Sequence, residues 1–406
     1  MRVHENIDLS SSAFQANPYP TYAYLRKNAP IYQVMQSNGR PLWLVTRYED
    51  AIAVLRDPRF VKDFRNAIMP EELAELPPDE PTLTLLERSM LDSDPPNHTR
   101  LRGLVSKAFT PRRIEQLGAR IQEIAEELLD AVQDKGSMDL IAEYAFPLPM
   151  NVISEMLGIP DEDCDKFHNW SKALVEGINV MDPYFDKTAL AVAAEFFEYI
   201  RILLDKRRKT PADDLISTLI MAEEQSDKLN EDELISMIHL LILAGHETTI
   251  NLIGNGVLAL LQHPDQLALL KNNPSLIKPA VEEFLRYEAS VQTASSRYTK
   301  EDVEIDGQII PRGELVLVVL GAANHDPKHF NKPDELNITR QNNQHIAFGY
   351  GIHHCLGAQL ARLEGQIAIN TLLRRLPNIK LAVAPEELRW RPGLNIRGLE
   401  ALPVKF

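Results

Sequence analysis

Four short strings in this 406-residue chain combine residue types that do chemistry. The first, Phe348-Gly-Tyr-Gly-Ile-His-His-Cys-Leu-Gly357, presents one thiol in a glycine-punctuated loop. Gly349, Gly351 and Gly357 let the backbone turn tightly and approach a flat neighbour that side chains would obstruct. The apolar stripe Leu356, Ala358, Leu360, Ala361, Leu363, Ile367, Leu372 follows with helical spacing and stops before Pro377. Cys355 therefore stands at a helix N-terminus, where unpaired N–H groups favour the metal-binding thiolate. An inert buried cysteine is the alternative reading. The second string, Ala244-Gly-His-Glu-Thr-Thr249, interrupts an otherwise apolar helix with a glycine, an acid and two hydroxyls. A local kink with threonines bonded back to carbonyls explains the threonines but leaves Glu247 unexplained. The third places His98 and Arg102 four apart on one helix face, suited to an anion or simply solvated. In the fourth, Glu283 and Arg286 are spaced to pair.

These strings need large, well-ordered supports, and the chain has the material for them. With 44% hydrophobic and 25% charged residues it is ordinary globular stuff, and no linker or repeat divides it. A single domain over 1–406 is expected. Asn230 with Glu233 forms a capping box opening a helix that runs to His263, about 50 Å at about 1.5 Å per residue. Apolar nearly all round, that helix must cross the core. Amphipathic helices fill Ile114 to Arg208, while Pro41–Arg47, the approach to Arg297, a hairpin at Asp306-Gly307 and Leu315–Leu320 read as strands. The fold class is mainly α with a minor β portion. From Phe60 to Met90 prolines break the pattern in a long apolar irregular stretch.

Composition also sets exclusions. The net charge of -15 argues against general nucleic-acid binding, and the absence of a long apolar run or signal pattern predicts a cytoplasmic protein with no membrane anchor. Two cysteines far apart make a disulfide framework unexpected, and Cys164, among acids, reads as a surface thiol.

The cysteine string resembles the haem-ligand signature of the cytochrome P-450 superfamily, Phe-Gly-x-Gly-x-(His/Arg)-x-Cys-x-Gly, at every specified position. The other strings resemble further motifs of that family in the same order. The resemblance implies a haem-thiolate fold with haem b (iron protoporphyrin IX) between the long helix and the cysteine-loop helix. It implies Cys355 as the iron ligand, its electron donation favouring O–O cleavage, with Phe348, Gly349 and Gly357 shaping the loop. His98, Arg102, Arg297 and His353 would bind the haem propionates. On the long helix, Ala244 and Gly245 would leave room for oxygen, Thr248 hold a water, and Glu247 relay protons from solvent. Glu283 and Arg286 would be the family's structural pair.

The activity implied is monooxygenation, one atom of O2 entering a C–H or double bond of an organic substrate. Glu247 and Thr248 argue against a peroxide-driven peroxygenase, and a relay beside a substrate roof against a non-catalytic haem carrier. A zinc hydrolase would need a His-Glu-x-x-His spacing that the chain lacks. Electrons would come from a separate ferredoxin or flavodoxin and its NAD(P)H-dependent reductase, docking near Lys107, Arg112 and Arg113 on a monomeric protein. Loops including Ile68, Met69, Leu86, Val180, Met181 and Val291 would line a pocket for an apolar small molecule such as a terpenoid, steroid, fatty acyl chain or macrolide-like compound. Gly177–Phe185 corresponds to the family's substrate roof.

Overall fold

The computed structural model describes residues 7–74, 80–107, 109–164, 166–167, 169–170, 173, 187–224 and 227–406. Its axis is the helix Glu231–Gln262, opened as expected by a reciprocal cap. The Asn230 side chain accepts from the Glu233 N–H at 2.9 Å, and the Glu233 carboxylate accepts from the Asn230 N–H at 2.9 Å. No residue between 244 and 249 leaves the helical conformation, so the polar string does not break the helix.

Two apolar clusters share this helix. Leu234 to Ile242 pack with Phe196, Phe197 and Ile200 of the helix Lys187–Lys209 and with Leu101 and Leu104. Ile250 to Leu260 pack with Ile121 and Ile124 of the helix Pro111–Asp130 and with Ala368, Ile369 and Leu372 of the cysteine helix, Ala358–Arg375. The string Ala244–Thr249 lies between the two clusters. Polar side chains are placed at a seam, where filling a core is not asked of them.

The β portion is small. A five-stranded sheet runs in the order Ile31–Met35, Pro41–Val45, Leu315–Val318, Arg297–Thr299, Phe60–Val61. Its inner strands bury Leu42, Leu44, Val316 and Val318. A second sheet joins Lys380–Leu381, Pro403–Lys405 and Ser137–Asp139. At the expected hairpin, Asp306 and Gly307 both take positive φ, 51° and 76°, as a two-residue turn between twisted strands requires. The stretch from Phe60 to Met90, read as irregular, contains the strand Phe60–Val61 and the short helices Pro70–Ala74 and Pro81–Glu87. Cys164 is not the surface thiol expected: it is half-buried against the second cluster, its thiol 3.6 Å from the Pro160 carbonyl. No described helix is long and apolar enough to cross a membrane.

Candidate active site

The cysteine loop is fixed from several sides. The Cys355 N–H donates to the Phe348 carbonyl at 2.9 Å and the His354 N–H to Gly351 at 3.1 Å. Gly349 and Gly351 hold φ of 71° and 75°. At Gly351 a Cβ would stand 2.7 Å from the Leu55 carbonyl, so the close approach that needs glycine is to a neighbouring helix terminus. Arg56 holds Tyr350 by a hydrogen bond of 2.8 Å and lies over its ring, and the Arg362 guanidinium lies over Phe348. Arg362 is itself anchored on Glu282, which also meets His345.

The cysteine helix begins at Ala358 with Gly357 as its cap, two residues past Cys355. Backbone N–H groups of Gly357 and Ala358 reach the sulfur, and Arg102 and Arg362 face it. Burial nevertheless outweighs them and pushes the Cys355 thiol up from its ordinary value. The backbone N–H groups at the helix start favour the thiolate as expected without outweighing burial; a coordinated metal would remove the proton outright. The sulfur is crowded by protein yet reachable along a concavity of about 240 Å³ lined by Phe109, Pro111, Ile114, Leu356 and Arg362.

Around the loop stands a group of basic side chains with few carboxylates in contact with them. His98 is 2% exposed, and among the described residues neither ring nitrogen has a hydrogen-bond partner. Its ring lies 4.2 Å from that of His353. Arg297, 3% exposed, donates to the Ser295 carbonyl at 3.1 Å and has no described carboxylate in ion-pair contact. Burial lowers its pKa to about 10. His353 is pushed to about 2, first by burial and then by Lys62, His98, Arg297 and Arg102. Arg102 turns toward the cysteine side, donating to the His354 carbonyl at 2.6 Å. Buried cations without counter-charge are costly, and a ligand bearing two carboxylates would satisfy them. Together with a thiolate donor this set fits haem: sulfur for the iron, cations for the propionates.

On the long helix, the proposed relay acid Glu247 is buried. It is 6% exposed, paired with Arg391 at 2.6 Å and accepting from Asn251 at 3.2 Å. Arg391, 35% exposed at its side chain, supplies the link outward. The half-buried Thr248 donates to the Ala244 carbonyl at 2.8 Å and Thr249 to that of Gly245 at 3.3 Å, so both back-bonds exist. At Gly245 the nearest protein side chain to an added Cβ is Ile153, at an ordinary 3.6 Å. Ala244 is exposed within the same turn.

Two polar partners escaped sequence reasoning. Arg391 lies 144 residues beyond Glu247 in an irregular segment and gives no local signal. Glu364 did give one, being an acid on the buried stripe of the cysteine helix. It is 2% exposed, bonded to Thr249, with Oε2 unpartnered, and burial pushes its pKa up to about 8. Burial thus favours its neutral form, which can donate a hydrogen bond.

Glu283 and Arg286 are both fully buried and paired at 2.8 Å, as their spacing suggested. The pocket residues are scattered in burial. Leu86 packs on the second cluster, Ile68 is half-buried, and Val291 packs on a third cluster beside the five-stranded sheet. Met69 is 44% exposed, because it immediately precedes a short surface helix. Val180, Met181 and the segment Gly177–Phe185 lie outside the described residues.

Comparison with known proteins agrees with this geometry. The family model described as Cytochrome P450 matches residues 9–382. Cytochrome P450 monooxygenase PikC of Streptomyces venezuelae is 47% identical over 396 residues, 97% of this chain and 92% of the relative. Vitamin D(3) 25-hydroxylase of Pseudonocardia autotrophica is 46% identical over 401 residues, 98% of this chain and 96% of the relative. Among solved structures, the myxobacterial cytochrome P450 CYP267B1 in complex with myristic acid superposes with a TM-score of 0.91 at 46% identity, covering 98% of each chain. With one cysteine in the haem-ligand loop, unneutralised cations around it and a match over nearly its whole length, the chain belongs to the cytochrome P450 family, whose members are haem-dependent oxidoreductases.

Proposed function

We propose that this P450 monooxygenates a mainly apolar organic molecule of medium to large size. Iron protoporphyrin IX would be its haem, in a single-domain, monomeric, cytoplasmic protein fed by a ferredoxin or flavodoxin and its NAD(P)H-dependent reductase. The observation that carries oxygen activation, over peroxide-driven chemistry, is the seam of the long helix. There a buried carboxylate, Glu247, tied through Arg391 to the surface, adjoins a half-buried hydroxyl, Thr248.

Haem bound through Cys355 supplies the oxygen and one-electron chemistry. The protein's part is binding, orientation and proton handling. Thr248 spends its own proton on the Ala244 carbonyl, so its oxygen remains free to accept from a water and hold that donor in place. Glu247, paired with the partly exposed Arg391, links this turn of the helix to the surface. Removing a general acid–base contact costs about 10²–10⁴-fold, so Thr248→Ala should lower product formed per reductant consumed by at least about tenfold. Hydrogen peroxide should rise in proportion. An unchanged ratio would remove Thr248 from the mechanism.

For electron supply, Lys107, Arg112 and Arg113 are exposed and flank the Phe109–Ile114 wall of the cysteine-side concavity. An acidic partner docking there would be steered by charge. For the substrate, two relatives, a vitamin D(3) 25-hydroxylase and a cytochrome P450 in complex with myristic acid, support a large apolar class. Apolar burial contributes about 25 cal/mol per Å², so affinity should climb along a series of lengthening apolar ligands. Titration through the haem spectrum checks this. Tighter binding by small charged ligands than by the long apolar set would refute the proposed substrate class.

A further inference from the structure

The cation group contains a member that no motif announces. Lys62 is 6% exposed, follows the strand Phe60–Val61, and has no described carboxylate in ion-pair contact. The strand pairs antiparallel with Phe60 opposite Thr299 and Val61 opposite Tyr298. Continued by one residue, that register sets Lys62 across from Arg297. Like charges facing each other across a strand pair destabilise it, more so when buried.

Nearby acids offset the conflict only in part: Asp92 and Asp94 both favour the charged Lys62, and Asp94 favours the charged Arg297, yet each is engaged elsewhere. Asp94 receives the Lys62 and Asp63 backbone N–H groups at 2.8 and 3.1 Å and the Asn66 amide at 2.8 Å. Asp92 takes the Ser89 hydroxyl at 2.8 Å. Of its three donors, the Lys62 ammonium directs one to the Ser296 carbonyl at 2.7 Å. Lys62 also exerts the largest single charge effect on His353. Burial, reinforced by Arg297, brings the Lys62 pKa down to about 7. The fold thus sets two buried cations, neither in ion-pair contact with a described carboxylate, near two histidines that burial keeps neutral.

We propose that Lys62 is a fifth basic residue of the haem site, sharing one propionate with Arg297 and, charged beside it, raising the reduction potential of the iron. The inference rests on the haem-thiolate reading. A reduced haem carries one more negative charge than an oxidised one, so a buried cation beside a propionate favours reduction. Its removal makes the iron harder to reduce.

The test uses the holoenzyme and the variants Lys62→Met, Lys62→Gln and Lys62→Arg. In a spectroscopic redox titration, Met and Gln should weaken the preference for the reduced state about tenfold, a fall of about 59 mV for one electron. Arg should restore most of the wild-type value. Loss of haem to an acceptor protein should quicken about tenfold in Met and Gln only, and the propionate bending mode in resonance Raman should shift in the same two. Should Lys62→Met fail to fold, the Gln and Arg variants carry the comparison. Haem-loaded Met and Gln variants with the wild-type potential and the wild-type propionate mode would overturn the inference and leave the family reading intact. A wild-type protein that takes up no haem would overturn both.

Discussion

Replacing Cys355 by serine should abolish the strongly red-shifted absorbance of the reduced carbon monoxide complex and stop turnover. The loop does not depend on sulfur for its shape. The backbone bond from Cys355 to Phe348, the hold of Arg102 on the His354 carbonyl and the two glycines at positive φ all survive the change. What is lost is the soft anionic donor, which an alcohol cannot replace. Loss of an outer-shell partner at a metal site costs about 10–100-fold in affinity or activity, so loss of the ligand should cost more than about 100-fold in turnover. Cys164→Ser is the control. That thiol lies against the Pro160 carbonyl and the second apolar cluster, remote in role from the cation group, and its variant should keep the red-shifted band. If Cys164→Ser loses the band and Cys355→Ser keeps it, the ligand assignment is wrong.

How far the sequence disclosed this site follows from where the information lies. The cysteine loop and the long helix were legible because caps, helical spacing and glycines act within a few residues, and the Asn230–Glu233 box formed as read. Glu283 and Arg286 were legible for the same reason. Strands were harder. Phe60–Val61, Lys380–Leu381 and Pro403–Lys405 have two or three residues each, too few to show a period, and they exist because distant partners pair with them. Ionic partners were hardest. Glu247 announced an unusual acid, but nothing near Arg391 announces its answer. Lys62 becomes notable only when the register sets it against Arg297. Glu364 shows the intermediate case, a charge on an apolar stripe, visible in the sequence as an anomaly and explained only by its contact with Thr249.

The largest expected effect on folding is at Arg286. Its guanidinium gives Glu283 two hydrogen bonds, at 2.9 and 2.8 Å, and three more to the carbonyls of Asn324, Pro333 and Glu335. Glu283 in turn accepts from Arg340, from the Asn337 N–H at 2.9 Å and from Asn343. One fully buried pair therefore ties the helix Ile277–Tyr287 to the irregular stretch 324–343 that leads into the cysteine loop. Removing one partner of a buried pair costs about 3–5 kcal/mol, because the other charge is left without full compensation. Against a total stability of about 5–15 kcal/mol, that is enough to empty much of the folded state. Arg286→Leu should yield little soluble haem-loaded protein. Arg286→Lys should do nearly as badly, since an ammonium keeps the charge but cannot supply the fork and the three carbonyl contacts together. Glu283→Gln keeps the shape and should rank between these and the wild type. The measurements are soluble haem-loaded yield and the midpoint of thermal unfolding. A haem-loaded Arg286→Leu protein with the wild-type midpoint but defective turnover would move this pair from structure into the chemistry. Wild-type values of yield, midpoint and turnover would show that Arg340 and the backbone donors hold Glu283 without it.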